Sequence, residues 1–143
     1  MYRQLLVAVD GTDRGTAAAR HAVALAKSVG ASLEALHVVD VQPVYSRYGL
    51  AALPSEDELE HKHEQGKELL EDIRSLADDN SVECETAIRR GTPHIRIVDY
   101  AEATDVDAIV IGEPEPHRLQ NLLGISTTGR VIRNTECTVI VAR

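Results

Sequence analysis

Residues 108–143, AIVIGEPEPHRLQNLLGISTTGRVIRNTECTVIVAR, decide the fold. They open on Ala108-Ile109-Val110-Ile111, a short continuous apolar run of the kind that forms a strand buried on both faces. Gly112 ends that run, and a long polar segment follows it. Ser126-Thr127-Thr128 then starts a helix with hydroxyl side chains and free backbone N–H groups, a natural place to hold an anion. Thr138 to Ala142 is a last, apolar strand.

Working back to the start of the chain, Leu5-Leu6-Val7-Ala8-Val9 is a second buried-strand run, followed by the turn and helix N-cap residues Asp10-Gly11-Thr12-Asp13. Ala18, Ala22, Leu25 and Val29 recur at helical spacing, and Gly30 suits a C-cap. Leu33 to Val39 is the next strand, so the segment reads as a parallel pair with a right-handed crossover. Gln42 to Ser55, with Pro43, Gly49 and Pro54, reads as a loop. Ser55 opens a charged helix to about Asp79, with Glu58 placed for a capping box and Leu59, Gly66, Leu70, Ile73 and Ala77 along its inner face. Val82 to Ile88 alternates like a half-exposed edge strand. Gly91-Thr92-Pro93 leads into a helix carrying Ile97, Val98 and Ala101.

The pattern predicts one α/β domain over residues 1–143: a Rossmann-like, doubly wound, five-stranded parallel sheet of order 3-2-1-4-5 with four helices. Strands 1 and 4 then flank the topological switch point, where open α/β sheets bind ligands. The turns after Val9 and Ile111 face each other there, which brings Asp10 and Gly112 together.

Composition narrows the partners. The net charge of −8 argues against a nucleic-acid backbone. No apolar run is long enough to span a membrane, and Met1-Tyr2-Arg3-Gln4 leads directly into a strand instead of a signal peptide, so a cytoplasmic location is expected. Arginine outnumbers lysine twelve to three, a bias shared by high-salt adaptation and ordinary drift. Cys84 and Cys137 fall on strands at opposite edges of the sheet, roughly 19 Å apart at four strand spacings of about 4.8 Å, too far for a disulfide. His61 and His63 stand two apart on a helix and do not face each other. His63 falls on the inner stripe and reads as a buried, hydrogen-bonded histidine, and no metal site is expected.

These residues resemble the universal stress protein family along essentially the whole chain. The resemblance lies in Leu5-Leu6-Val7-Ala8-Val9-Asp10-Gly11, in Leu36-His37-Val38-Val39-Asp40, in Gly91-Thr92-Pro93 with Ile97-Val98 and Tyr100-Ala101-Glu102, and in Arg133 with Glu136 to Val141. It implies the doubly wound fold and a homodimer through the last strand, with Thr138, Val139, Ile140 and Val141 at the interface. ATP-binding members carry Gly-x-x-Gly, nine residues, then Gly followed by Ser or Thr. Without gaps that motif falls on Gly112, Glu115, Ile125 and Ser126, so only the first glycine and the serine match; Gly124 sits one place early.

The resemblance implies a nucleotide site of Ala8, Asp10, Val38, Gly112, Gly124, Ser126 and Thr127. Each has a plainer alternative. Asp10 contacts the nucleoside or is a turn carboxylate, and Ala8 and Val38 line an adenine pocket or simply pack. Ser126 and Thr127 contact phosphate or cap a helix, and Gly112 admits phosphate or ends a strand. Glu113 and Glu115 weigh against a triphosphate: at an effective dielectric of about 20, two unit charges roughly 7 Å apart repel by roughly 2 kcal/mol. His117 and Arg118 partly offset them. The expected function is a stress-response binding module, not a dedicated enzyme, with weak or absent ATP binding and with ADP or AMP meeting less repulsion. The alternatives are an ATP-binding member or a slow magnesium-dependent ATP hydrolase, for which Asp10 is the one candidate residue, and a structural dimer whose protein partner docks on the second helix or the Gln42–Ser55 loop.

Overall fold

The structure, a computed structural model, describes residues 1–45, 49, 51–114 and 126–143. Its elements run β1 (Gln4–Val9), α1 (Asp13–Val29), β2 (Ser32–Asp40), β3 (Val44–Tyr45), β4 (Ala51–Ala52), α2 (Glu56–Asp79), β5 (Cys84–Gly91), α3 (Pro93–Thr104), β6 (Ala108–Gly112), α4 (Thr127–Asn134) and β7 (Thr138–Ala142). Five strands form one sheet in the order β5-β2-β1-β6-β7, and all four pairings are parallel. Counting only the strands of this sheet, the order is 3-2-1-4-5, as the sequence predicts.

The apolar runs explain the layering. Leu5, Leu6, Val7, Ile109 and Val110 are completely buried because both faces of β1 and β6 are covered. One face carries Leu5, Val7, Leu33, Ala35 and Val110 against α1 and α2. The other carries Leu6, Ala8, Leu36, Ile109 and Ile111 against α3 and α4, through Ile97, Val98, Ala101 and Val131. On α1 the inward stripe is Ala18, Ala19, Ala22, Val23 and Ala26; Leu25 is only half-buried and Val29 is exposed, one helical step away from the stripe read in the sequence. Small side chains along this stripe let α1 lie close to the sheet. Gly30 closes the helix in the left-handed region at φ 72°.

The second helix starts after Ser55 as predicted, with the Ser55 hydroxyl accepting from the Glu58 N–H at 3.1 Å; the return bond from the Ser55 N–H to the Glu58 carboxylate, which would complete the capping box, is not formed among the described residues. Gly66, Leu70, Ile73 and Ala77 are buried beneath it. His63 departs from expectation. It is half-buried, and its Nδ1 is enclosed with no hydrogen-bond partner among the described residues, although Glu60, Glu64, Arg89 and Arg90 line the same cleft. The predicted edge strand shifts toward its C-terminus. Arg89, Arg90 and Gly91 still pair with Val38, Val39 and Asp40, whereas Val82 belongs to the turn after α2, its N–H bonded to the Ala77 carbonyl at 2.9 Å. Within the Gln42–Ser55 loop the sequence reading misses a two-residue antiparallel ladder, Val44 opposite Ala52 and Tyr45 opposite Ala51.

Cys84 on β5 and Cys137 before β7 stand at opposite edges of the sheet, both half-buried and unbridged. Burial pushes the Cys84 thiol up to about 11. Among the described residues no helix is long and apolar enough to cross a membrane, and no group of three or more His, Cys, Asp or Glu side chains converges as metal ligands do.

Candidate functional site

The predicted crevice falls at the C-terminal ends of β1 and β6. These strands pair in register with Ala8 beside Ile111, so the turn at Asp10 and the strand end at Gly112 adjoin, as the predicted switch point requires. On the other side of β1, Val9 stands beside His37, which puts Val38 next to the same turn. Ala8 is buried, with 7% of its surface exposed, and Val38 is half-buried; both belong to the apolar face shared with α3 and α4.

Asp10 is exposed and ordered by its own turn. Its Oδ1 accepts from the Thr12 N–H at 3.0 Å and from the Thr12 hydroxyl at 2.6 Å. The same hydroxyl oxygen accepts from the Gly15 N–H at 3.2 Å and so caps α1. Gly15 is glycine for want of room: a Cβ there would lie 2.7 Å from Asp10 Oδ1. Part of the Asp10 carboxylate is therefore committed to shaping the turn and starting the helix.

Gly112 has a different reason to be glycine. A Cβ there would fall 2.6 Å from the Arg14 carbonyl oxygen and 2.9 Å from its carbon, so the first turn of α1 rests directly on the end of β6. The Gly112 carbonyl in turn accepts from the Thr128 hydroxyl at 2.9 Å, which ties it to the first turn of α4. The Ser126 hydroxyl accepts from the Gly129 N–H at 3.1 Å and caps α4, and Thr127 is exposed beside it. Of the predicted site residues, the structure brings together Ala8, Asp10, Val38 and Gly112 at adjoining strand ends, with Ser126 and Thr127 at the start of α4. Gly124 lies outside the described residues, as do Glu115, His117, Arg118 and Ile125.

Charge is arranged differently from the sequence reading. Glu113, expected to repel phosphate, is held from two sides. Arg14 Nη1 pairs with its Oε2, and Arg143 Nε lies 3.7 Å from its Oε1. Its N–H bonds the Ala142 carbonyl at 2.9 Å, which extends the β6–β7 ladder by one residue. Sequence reasoning missed Arg14 and Arg143. The signal was available for Arg14, which follows one of the two facing turns as Glu113 follows the other. In the first turn of α3, His94 is held below its usual range by burial and by the nearby Arg130 guanidinium.

The chain matches the model of the universal stress protein family over residues 1–143. It is 33% identical over 147 residues to a universal stress protein of Methanocaldococcus jannaschii, spanning 100% of this chain and 83% of that one. Among solved structures it resembles the universal stress protein UspA of Lactobacillus plantarum, with a TM-score of 0.79 and 29% identity over 99% of this chain and 98% of that one. It shares its fold with a universal stress protein solved in complex with cAMP (TM-score 0.78, 19% identity, 99% of this chain and 97% of that one). It shares it also with one from Archaeoglobus fulgidus solved with dAMP (TM-score 0.70, 23% identity, 99% and 98%). This chain belongs to the universal stress protein family.

Proposed function

We propose that this member of the universal stress protein family is a single-domain, cytoplasmic, homodimeric regulatory module that takes an adenine nucleotide weakly in the crevice between Asp10 and Gly112. The observation that carries the reading is the register of β1 and β6, which sets the Asp10 turn beside Gly112 while the Thr128 hydroxyl holds the start of α4 against the same strand end. The base would rest on the apolar face at Ala8 and Val38, and the phosphates would lie toward Ser126 and Thr127 at the α4 N-terminus, where backbone N–H groups and the helix dipole favour negative charge. The fold neighbours with cAMP and dAMP support an adenine nucleotide as the ligand class. A regulatory role is favoured over an enzymatic one because the one candidate carboxylate, Asp10, is engaged through Oδ1 in its own turn.

Calorimetric titration with AMP, ADP and ATP, with and without magnesium, tests this. Saturable binding is expected with dissociation constants of roughly 0.1–1 mM, equivalent to about −4 to −5.5 kcal/mol, tightening from ATP to AMP. Micromolar ATP binding would overturn the expectation of weak affinity. No saturable heat with any of the three at millimolar concentration would remove the nucleotide reading and turn the search to protein partners.

The dimer is supported by β7. It is an edge of the sheet, Val139 and Ile140 are half-buried, and Val141 and Ile132 are exposed at 41% and 50%. Unpaired apolar edges invite pairing. Val139→Asp or Val141→Asp is expected to give monomers in sedimentation velocity; a dimer that survives both would place the interface away from Thr138–Val141.

A further inference from the structure

Arg14 and Glu113 are 99 residues apart in sequence and form an ion pair beside the end of β6, next to Gly112. Neither group is adventitiously placed. The backbone of Arg14 abuts Gly112, and the backbone of Glu113 is fixed to β7 through its N–H. Both side chains are about two-thirds buried, at 33% and 34% exposure, so the pair is less screened than a surface contact. Arg143, the third member, is 85% exposed and sits farther off at 3.7 Å.

We propose that Glu113 serves as an internal anion for Arg14, and that a nucleotide phosphate competes with it for that guanidinium, which makes Arg14 the residue through which the crevice distinguishes a nucleotide from a nucleoside. The proposal rests on the nucleotide reading of the crevice and deepens it. A phosphate carries up to two negative charges and accepts the planar guanidinium fork bidentately, so it outbids a single carboxylate for the same donor. The exchange leaves no stranded charge, because Arg143 stays with Glu113 when Arg14 turns to the ligand. A buried carboxylate without a partner would oppose the exchange strongly. The fixed position of Glu113 also explains how an acidic chain can hold an anion site: the local carboxylate is matched before the ligand arrives.

The test uses the full chain and four probes: adenosine, AMP, ADP and inorganic pyrophosphate, titrated against wild type, Glu113→Gln, Arg14→Gln, Arg14→Lys and the Glu113→Gln/Arg14→Gln double variant. Thermal melts establish that each variant is folded, and Arg14→Lys keeps the charge if Arg14→Gln fails to fold. Glu113→Gln is expected to tighten AMP, ADP and pyrophosphate by roughly fivefold, in the range of a partly buried ion pair, with adenosine changed by less than about twofold. Arg14→Gln removes the advantage of AMP over adenosine and abolishes the gain from Glu113→Gln, while Arg14→Lys retains part of both. An equal gain from Glu113→Gln with and without Arg14 overturns the proposal, since Glu113 would then act by simple repulsion. Adenosine binding with no added affinity from phosphate in any variant overturns it and leaves only the adenine seat at Ala8 and Val38 standing. Pyrophosphate bound through Arg14 with no adenosine binding upholds the exchange and removes the adenine reading. If no probe binds any variant, both fall.

Discussion

Gly112→Ala is expected to destabilise the protein by about 2–3 kcal/mol, a large effect for one methyl group, because the obstacle is backbone. The added Cβ would lie 2.6 Å from the Arg14 carbonyl oxygen and 2.9 Å from its carbon, and no rotamer change relieves either contact. The first turn of α1 has to lift off the strand end. That lift pulls on the Asp10–Thr12–Gly15 hydrogen bonds and carries Arg14 away from the end of β6, so nucleotide affinity falls together with stability. Gly11→Ala makes the useful contrast. Gly11 sits in open space at φ +85°, so its substitution costs about 1 kcal/mol of backbone strain and leaves the α1–β6 contact in place. Chemical denaturation of both variants measures the difference. Equal losses would mean that the close approach at Gly112 is not what demands glycine there.

The same residue shows what a sequence can and cannot carry. Gly112 reads correctly as the end of a strand, because a four-residue apolar run stops at it. Its reason for being glycine is invisible, because that reason is a carbonyl 98 positions away. The strands buried on both faces, β1 and β6, are legible for a physical cause: burial on two sides leaves an uninterrupted apolar run. From them and the βαβ signature follow the strand order and the switch point, and so the meeting of Asp10 with Gly112. The β3–β4 ladder is not legible, since two residues are too few to show a period of two. The pairing of Glu113 with Arg14 and Arg143 is harder still. Charge alone predicts that Glu113 repels a phosphate, and only the register of β6 against β7 and the seat of α1 on Gly112 bring two guanidinium groups to it. His63 shows the opposite error: helical spacing puts it correctly on the inner face, yet periodicity says nothing about whether a partner waits there.

Gly66→Ala is expected to reverse its sign with the residue at position 37. In an exposed helix interior this change stabilises by about 0.5–1 kcal/mol, through lower backbone entropy in the unfolded chain. Here α2 passes over β2 so closely that a Cβ at Gly66 would lie 2.4 Å from His37 Cδ2, 3.1 Å from its Nε2 and 3.2 Å from its Cγ. The ring cannot simply turn aside, because Nδ1 is hydrogen-bonded to the Val9 carbonyl at 2.9 Å. Either α2 moves away from β2 or His37 gives up that bond, and the net result is a loss of about 1–3 kcal/mol. In a His37→Ala background the obstacle is gone, and the same Gly66→Ala change should stabilise by about 0.5–1 kcal/mol. A double-mutant cycle by urea denaturation reads the reversal directly, and additive losses would show that His37 is not what confines Gly66. The consequence extends to the crevice: the Val9 carbonyl held by His37 is the last of β1, one residue before Asp10. A ring displaced by Gly66→Ala frees the strand end that positions the Asp10 turn, so nucleotide affinity should fall in the single variant even though no crevice residue has been changed.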